Sequence, residues 1–259
     1  MISTSPAADG IAECVIDHPP VNALPAAGWL ELAGQMRAAG DDPAVRVVVL
    51  RAEGRGFNAG VDIKELQASP DFGALVAVNR GCAAAFAAVY ECQVPVIAAV
   101  HGYCLGGGVG LAGAADIIVA SEDATFGLPE VDRGALGAAT HLARLVPQHR
   151  VRAMLYTGET ATAAELLGYG SVLSVVPADR LRAAALGVAR QIAAKDPVVI
   201  RAAKESLNGI DPGDIRRSYR YEQGYTYELN LTGVAGRVRD QFGRPPAAGR
   251  PAGEQPPPL

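Results

Sequence analysis

Residues 94–120 read VPVIAAVHGYCLGGGVGLAGAADIIVA, and this stretch decides the fold. Apolar runs at residues 96–100 and 117–120 flank three consecutive glycines and an uncharged segment at residues 107–113. Short apolar runs bounded by turn residues are typical of buried strands, and the segment after the first glycine has the composition of a buried helix. The stretch therefore predicts a strand, a glycine-rich turn, a helix and a second strand, which is the pattern of an α/β protein.

The glycine-rich turn also predicts a binding site for a negatively charged oxygen. Consecutive glycines let a ligand approach the main chain, and the first N–H groups of a helix have no partner inside that helix. The helix dipole favours negative charge at the same end. We take the backbone N–H of Gly107 as the candidate donor.

A second stretch, GFNAGVDIK at residues 56–64, has the same character. Gly60 permits a positive φ, which leaves the backbone N–H of Val61 free at the start of a helical run at residues 63–67. An ordinary strand-to-helix turn explains this motif equally well when it is taken alone. Together with Gly107 it predicts two main-chain donors on one oxygen atom, an oxyanion hole, in which each donor typically contributes about 3 kcal/mol of transition-state stabilisation.

Hydrophobic periodicity divides the chain into a mixed part and a helical part. Strands are predicted at residues 11–16, 45–51, 96–100, 117–120 and 172–176, and helices at 25–39, 74–89, 107–113, 138–145, 149–158, 162–167, 181–194, 197–209 and 214–230. We predict an α/β core over residues 1–196, a C-terminal helical region over 197–242 and a disordered tail over 243–259, which holds six prolines.

Composition narrows the class of protein. The chain has 259 residues, of which 49% are hydrophobic, so it can bury a sizeable core. Its net charge of −4 gives no field that would gather nucleic acid or an anionic membrane. Four irregularly spaced cysteines and an N-terminus without a basic and apolar leader predict reduced thiols in a cytoplasmic protein.

Two other interpretations of residues 94–120 are not favoured. Residues 94–115 carry no charged side chain, but Pro95, His101 and six glycines argue against a membrane span. Residues 108–113 match the glycine pattern of a dinucleotide-binding turn. However, the helix before the next strand is too short for a dinucleotide crossover, so we expect no nicotinamide cofactor. No cluster of residues has the spacing of metal ligands.

The chain resembles the crotonase, or enoyl-CoA hydratase/isomerase, superfamily. The resemblance implies an α/β spiral of β-β-α units with a C-terminal trimerisation region, in a homotrimer or dimer of trimers. It implies an acyl-CoA thioester as substrate and no separate cofactor, because CoA is part of that substrate. The stretches that carry the resemblance are HPPVNAL at residues 18–24, GFNAGVDIKEL at 56–66, residues 94–131, and RGALGAATHLARLVP at 133–147.

The resemblance also implies which residues bind the substrate. Val61 and Gly107 are expected to donate to the thioester oxygen. Arg51, Arg55 and Lys64 are candidates for a basic patch that binds phosphate, or are solvated surface charges. The CoA contacts map onto Pro20, Val21, Asn22, Ala23, Val61, Asp62, Ile63 and Lys64, with Phe242 near the adenine.

Enoyl-CoA hydratases use two glutamates, and this sequence keeps one of them. The first position is Gly110 and the second is Glu130. Adding water to a double bond requires an acid and a base, either as two positioned groups or as one shuttling proton carrier, so a standard hydratase with one carboxylate is not favoured. We predict Glu130 as the general base, with its pKa raised by an apolar pocket, and Asp132 as a weaker candidate for the same work.

Within the superfamily, ASEDATFGLPEV at residues 120–131 and IRAAKESLN at 200–208 are similar to the branch that opens a ring in bacterial steroid (cholesterol) degradation. The substrate implied is a bicyclic methyl-dioxo-indene carboxyl-CoA, which is hydrolysed at a carbon–carbon bond through an enolate. An enoyl-CoA isomerase or hydratase is the alternative. A silent CoA-binding protein is a third, disfavoured by the presence of Glu130.

Several other side chains have both a structural and a functional interpretation. His101 and His141 are predicted to be structural. Four tyrosines follow in the C-terminal helical region, where Tyr221 and Tyr225 share a helix face. Packing at a subunit contact explains the cluster, and a tyrosine hydroxyl in the acyl pocket is the functional alternative.

Overall fold

The computed structural model describes residues 1–68 and 71–239, and its strands form two sheets. The larger sheet has six strands, of which only the first pair is antiparallel, and the smaller has three. In chain order the strands are β1 (Ile2–Thr4), β2 (Ile11–Ile16), β3 (Val47–Ala52), β4 (Val96–Val100), β5 (Tyr103–Leu105), β6 (Ile117–Ser121), β7 (Thr125–Gly127), β8 (Thr160–Thr162) and β9 (Ser174–Val176). Their orders are β1-β2-β3-β4-β6-β9 and β5-β7-β8.

The helices surround these sheets. They are α1 (Ala26–Asp41), α2 (Ile63–Ala68), α3 (Phe72–Tyr90), α4 (Gly107–Ala114), α5 (Ala139–Leu142), α6 (Gln148–Thr157), α7 (Ala163–Tyr169), α8 (Leu181–Ala193), α9 (Pro197–Ile210), α10 (Ile215–Leu231) and α11 (Val234–Arg239). Two short 3₁₀ helices span Pro129–Arg133 and Ala178–Arg180.

The chain advances as a spiral because each turn adds one strand to each sheet. Strand β4 lies in the larger sheet and β5 in the smaller one, and α4 then leads to β6 and β7. Both new strands are parallel to their predecessors, with Ile97 opposite Ile117 and Tyr103 opposite Thr125. An isolated parallel bridge between Asn58 and Cys104 extends the smaller sheet by one earlier turn. The predicted α/β spiral of β-β-α units is thus confirmed.

The larger sheet is buried on both faces. On one face Val48 and Leu50 of β3 belong to the main core together with α1 and α3. On the other face Val47 and Val49 pack with Ala185 of α8. A parallel strand covered on both faces is apolar at every position, and this explains the uninterrupted run of β4, whose five residues are all buried.

Several short elements were not predicted from the sequence. Strands β1, β5, β7 and β8 have three residues each, too few for a periodicity to appear. Helix α11 was also missed, and the strand predicted at 172–176 begins at Ser174.

The four cysteines are buried and free, as expected. The predicted tail, at 243–259, lies outside the described residues.

Helix α3 is long and apolar enough to cross a membrane, judged by length and composition alone, and is the one such helix in the described part of the chain. It packs against α1, α4 and α10. Residues 94–115, considered above as a span, instead contain β4, β5 and α4.

A buried ion pair attaches α9 to the core. The Nζ of Lys204 lies 2.7 Å from both carboxylate oxygens of Asp116, and the Lys204 side chain is only 3% exposed. Asp116 also accepts a hydrogen bond from the backbone N–H of Val96 at 2.7 Å. The pair therefore connects the C-terminal helices to the start of β4.

We expect Lys204→Ala to lower the free energy of unfolding by about 3 kcal/mol, because it leaves the partly buried Asp116 carboxylate without its counter-charge. Urea denaturation measures the change. Arg216→Ala is the matched control, since Arg216 and Glu91 form an exposed pair, and its loss should cost less than about 1 kcal/mol. Equal losses in the two variants would contradict the importance of the buried pair.

Candidate active site

A cavity of about 340 Å³ lies where the starts of α2 and α4 meet α3 and α10. Val61, Gly107 and Glu130 all line it. Most of the remaining wall is apolar, contributed by side chains such as Leu75 and Leu136. The structure therefore brings the two glycine motifs and the single retained glutamate to one largely apolar cavity.

The two predicted donors lie at neighbouring turns, with Gly107 at the start of α4 and Val61 two residues before α2. Gly60 has a φ of +87°, and a methyl group on its Cα would lie 3.1 Å from the backbone nitrogen of Gly107. Among the described residues, neither Val61 nor Gly107 donates its backbone N–H to another protein group. Two unengaged amides at adjacent helix starts are the arrangement that an oxyanion hole requires.

Asn58 holds the first of these turns in place. Its Oδ1 accepts a hydrogen bond from the Gly60 N–H at 2.8 Å, and its Nδ2 donates to the carbonyl of Asn22. Leu24 pairs with the same turn through its N–H to the Gly60 carbonyl at 2.9 Å and through its carbonyl to the Asp62 N–H at 3.0 Å. The residues that flank Val61 are therefore fixed, while its own N–H stays available.

The predicted CoA contacts divide into two groups. Residues that line the cavity are Val21, Ala23, Val61, Asp62, Ile63 and Lys64. Pro20 is exposed and lies outside the lining, and Phe242 lies outside the described residues.

Asn22 also lies outside the lining of the cavity, and its side chain is hydrogen-bonded to neighbouring backbone groups. Its Nδ2 donates to the carbonyls of Glu53 at 2.7 Å and Gly56 at 2.9 Å, and its Oδ1 accepts from the His18 N–H at 2.7 Å. The residue is 3% exposed. The structure therefore gives Asn22 a structural role in this loop, and its predicted contact with CoA stays a prediction.

The three candidates for a phosphate-binding basic patch lie in different parts of the structure. Arg51 forms ion pairs with Glu13 and Glu53 and lines a different cavity. Arg55 is exposed and lies outside the lining of the main cavity. Lys64 is exposed at the main cavity, so it is the one of the three placed to meet a ligand there.

Glu130 lies directly over the turn before α4. A methyl group on Gly106, which has a φ of +56°, would lie 2.2 Å from Glu130 Oε1. The Oε2 atom is buried and has no hydrogen-bond partner in the described part of the chain. The pKa of Glu130 is raised to about 8, chiefly by burial and to a smaller extent by the nearby Glu222, while Arg133 opposes the shift. A carboxyl with this pKa can both accept and return a proton near neutral pH.

Asp132 faces away from this group. It is exposed and does not line the cavity, and its Oδ2 would lie 3.0 Å from a methyl group on Gly158. Its catalytic role stays a prediction, and the geometry favours Glu130.

The position of the missing glutamate is filled by an aromatic ring. A methyl group on Gly110 would lie 2.2 Å from Cζ of Phe86, which is 2% exposed. A glutamate cannot enter this space unless the ring moves. The ring of Phe86 thus occupies the space that a second carboxylate would need.

His141 packs beside the same ring, against Phe86 and Tyr219. It is buried, as a structural histidine should be, but neither ring nitrogen has a partner among the described residues. Burial lowers its pKa to about 3, so it is neutral at physiological pH. His101 bonds the Gly54 carbonyl at 3.0 Å, in keeping with its structural interpretation.

The tyrosine cluster is divided between two environments. Tyr219 is 6% exposed and lines the cavity, which matches the functional alternative for one member. Tyr221 and Tyr225 are exposed, with their hydroxyls 2.9 Å apart.

Helix α10 contributes two residues that sequence reasoning missed, and they hold the cavity wall at residues 135–138. Glu222 accepts hydrogen bonds from the N–H groups of Ala139 at 3.0 Å and Thr140 at 3.3 Å. Thr226 accepts from the Leu136 N–H and donates to its carbonyl. Burial raises the pKa of Glu222 to about 7. The spacing of residues 222 and 226 on one helix face was the available signal.

The chain belongs to the enoyl-CoA hydratase/isomerase family, whose model matches residues 7–220. A crystal structure of an enoyl-CoA hydratase/isomerase from Xanthobacter autotrophicus Py2 superposes with a TM-score of 0.82 at 28% identity, over 92% of this chain and 93% of that one. This confirms the family and the fold predicted from the sequence.

Two curated relatives are much more similar. Both are named (7aS)-7a-methyl-1,5-dioxo-2,3,5,6,7,7a-hexahydro-1H-indene-carboxyl-CoA hydrolase. The protein from Rhodococcus jostii is 62% identical over 93% of each chain. The one from Mycobacterium tuberculosis is 62% identical over 93% of this chain and 97% of its own.

Gly106→Ala should lower kcat/KM by about a hundredfold, because the new methyl group displaces the Glu130 carboxylate. Steady-state kinetics on the acyl-CoA substrate proposed below measures the loss. Gly34→Ala is the control, since Gly34 is an exposed position on α1 with open space around its Cα, and it should keep full activity. Full activity of Gly106→Ala would mean that the position of Glu130 is unimportant.

Proposed function

We propose that this protein is an acyl-CoA hydrolase that opens a ring of a methyl-dioxo-indene carboxyl-CoA, a step of steroid degradation. The observation that carries the proposal is the 62% identity, over 93% of the chain, to two hydrolases named for this substrate. The cavity supports it, because a carboxyl group and two unengaged amides meet in an apolar chamber large enough for a compact ring system.

The chemistry proposed is hydrolysis of a carbon–carbon bond. Water adds to the ketone of the five-membered ring, and the bond to the adjacent ring-fusion carbon breaks, so the ketone carbon becomes a carboxylic acid. The electron pair of the broken bond passes through the conjugated alkene to the ring carbonyl and the thioester, forming an enolate. A proton then returns to carbon, so the product is the substrate plus one water, with CoA still attached.

The Val61 and Gly107 amides are proposed to stabilise this enolate. Gly107 begins α4 and Val61 lies two residues before α2, so the two unengaged N–H groups, and at Gly107 the dipole of α4, favour negative charge on the thioester oxygen. Because the amides are fixed before the reaction, the stabilisation costs no rearrangement when the charge develops.

Glu130 is proposed as the proton carrier. Its carboxylate accepts a proton from water as water attacks, and the resulting acid gives that proton to the carbon that leaves. One group performs both transfers, so the reaction needs no second carboxylate. The carboxyl group lies over Gly106 through Oε1, and its Oε2 has no hydrogen-bond partner among the described residues, which supports this role.

The isomerase or hydratase alternative is not favoured. The second glutamate of a hydratase would fall at Gly110, where Phe86 occupies the space. An isomerase needs only one proton carrier, and what disfavours it is the 62% identity to two hydrolases. A silent CoA-binding protein is disfavoured as well, because a buried and unpaired carboxyl group is destabilising and is expected at a reactive site.

Mass spectrometry tests the proposal when the purified protein is mixed separately with the dioxo-indene carboxyl-CoA and with crotonyl-CoA. We expect a product of the first that gains one water and retains CoA. Release of free CoA would indicate thioester hydrolysis instead. Water gain on crotonyl-CoA alone would favour a hydratase, and no product from either would favour a binding protein.

Glu130→Gln should lower kcat at least about a hundredfold while the affinity for CoA esters changes little. In the wild type, kcat/KM should fall as the pH is lowered through about 8, because Glu130 becomes neutral and can no longer accept a proton. Glu222 also titrates near neutrality, so Glu222→Gln is the control and should keep this fall in kcat/KM. Activity of Glu130→Gln within a few-fold of the wild type would remove Glu130 from the mechanism.

We also propose that the protein assembles as a homotrimer or a dimer of trimers in the cytoplasm. Support comes from large apolar side chains exposed on α9 and α10, where Val198, Ile210 and Leu231 are each more than 70% exposed in the single chain. Exposed patches of this kind mark interaction surfaces.

A further inference from the structure

Asn79 is a polar side chain that the reaction described above does not use. It lies on α3 and lines the cavity, on the helix face that also presents Leu75, Val78 and Cys82. Its Nδ2 is buried and has no hydrogen-bond partner in the described residues. Among the described residues that line the cavity, the only other buried side-chain polar atom without a partner is Oε2 of Glu130.

The neighbouring polar groups are already engaged with one another. The Cys82 thiol interacts with the Tyr219 hydroxyl, and Thr226 bonds both backbone groups of Leu136. The backbone carbonyl of Asn79 accepts a hydrogen bond from Gln223 Nε2 at 2.8 Å, which ties this turn of α3 to α10. The backbone of Asn79 is therefore held in place, while its side-chain Nδ2 has no hydrogen-bond partner among the described residues.

An amide in this position suits a ligand with a hydrogen-bond acceptor. Buried polar groups in proteins are nearly always hydrogen-bonded, so an unpaired amide in a cavity wall indicates a missing partner. Rotation about χ2 exchanges its NH₂ and oxygen, so Asn79 can present its donors to the cavity. The bicyclic acyl group carries two ring ketones, which accept hydrogen bonds and donate none.

We propose that Asn79 donates a hydrogen bond to a ring ketone of the substrate and thereby selects oxygenated cyclic acyl groups over hydrocarbon chains. This inference rests on the proposed function for the identity of the acyl group. A hydrocarbon chain supplies no acceptor, so its binding leaves the amide desolvated and unpaired. Sites built to hydrogen-bond a ligand reject analogues that lack the matching group more strongly than apolar pockets reject extra carbon.

The test compares two ligands in two variants. Asn79→Leu keeps the approximate size of the side chain and removes its donors, and Asn79→Asp keeps the shape and offers an acceptor in place of the amide. Dissociation constants are measured by calorimetry for the dioxo-indene carboxyl-CoA and for hexanoyl-CoA, each in a Glu130→Gln background that slows turnover. Arg80→Leu, an exposed position next to Asn79 on α3, is the matched control.

We expect both Asn79 variants to bind the dioxo acyl-CoA about tenfold to a hundredfold more weakly. Affinity for hexanoyl-CoA should be unchanged or higher in Asn79→Leu, and its thermal midpoint should not fall, because the unpaired amide is gone. Equal losses for both ligands would mean that Asn79 only supports the wall, and no loss for either would mean that water satisfies the amide. Either result overturns the inference.

Failure of the proposed function can be distinguished from failure of the inference about Asn79. If the wild type binds the dioxo acyl-CoA but never hydrolyses it, the reaction assignment is wrong, while a ligand-selective loss in Asn79→Leu still supports the contact. If the wild type hydrolyses it and Asn79→Leu shows no selective loss, the function stands and Asn79 has no part in selectivity.

Discussion

The parallel pairing of residue 58 with residue 104 is the constraint on which the rest of the site depends. It places one turn of the spiral directly beside the next, so the two segments that leave these positions begin their helices side by side. The turns are so close that a methyl group on residue 60 would lie 3.1 Å from the backbone nitrogen of residue 107. No side chain performs this alignment alone, because it follows from the repeat of strand, turn and helix.

Once the two helix starts are adjacent, burial determines what Glu130 can do. The cavity wall excludes water, and a carboxylate that loses its hydration without gaining a partner holds its proton more tightly. The same exclusion strengthens the pull of the two main-chain dipoles on a developing enolate. Apolar side chains such as Leu75 and Leu136 therefore influence proton transfer by burying Glu130, although they exchange no proton themselves.

Much of this fold could be predicted from the sequence, because strand, glycine turn and buried helix are local patterns. The bounds of β4 and the start of α4 were predicted correctly for that reason. The pairing of residues 61 and 107 as donors was predicted from the two glycine motifs, and the family resemblance supported it. The roles of Asn58 and Glu222 were missed because they depend on contacts between segments far apart in the chain. The structural role of Asn22 was not predicted either, since a buried polar residue that stabilises a loop has no distinct local pattern.

The ring of Phe86 beside Gly110 has an evolutionary consequence. Restoring the absent carboxylate would need a second, compensating exchange on α3 to vacate its volume, and either exchange made first creates a clash or a void. Such mutual dependence is epistasis: a single exchange at either position disturbs the core, and only the two together could place a carboxylate there.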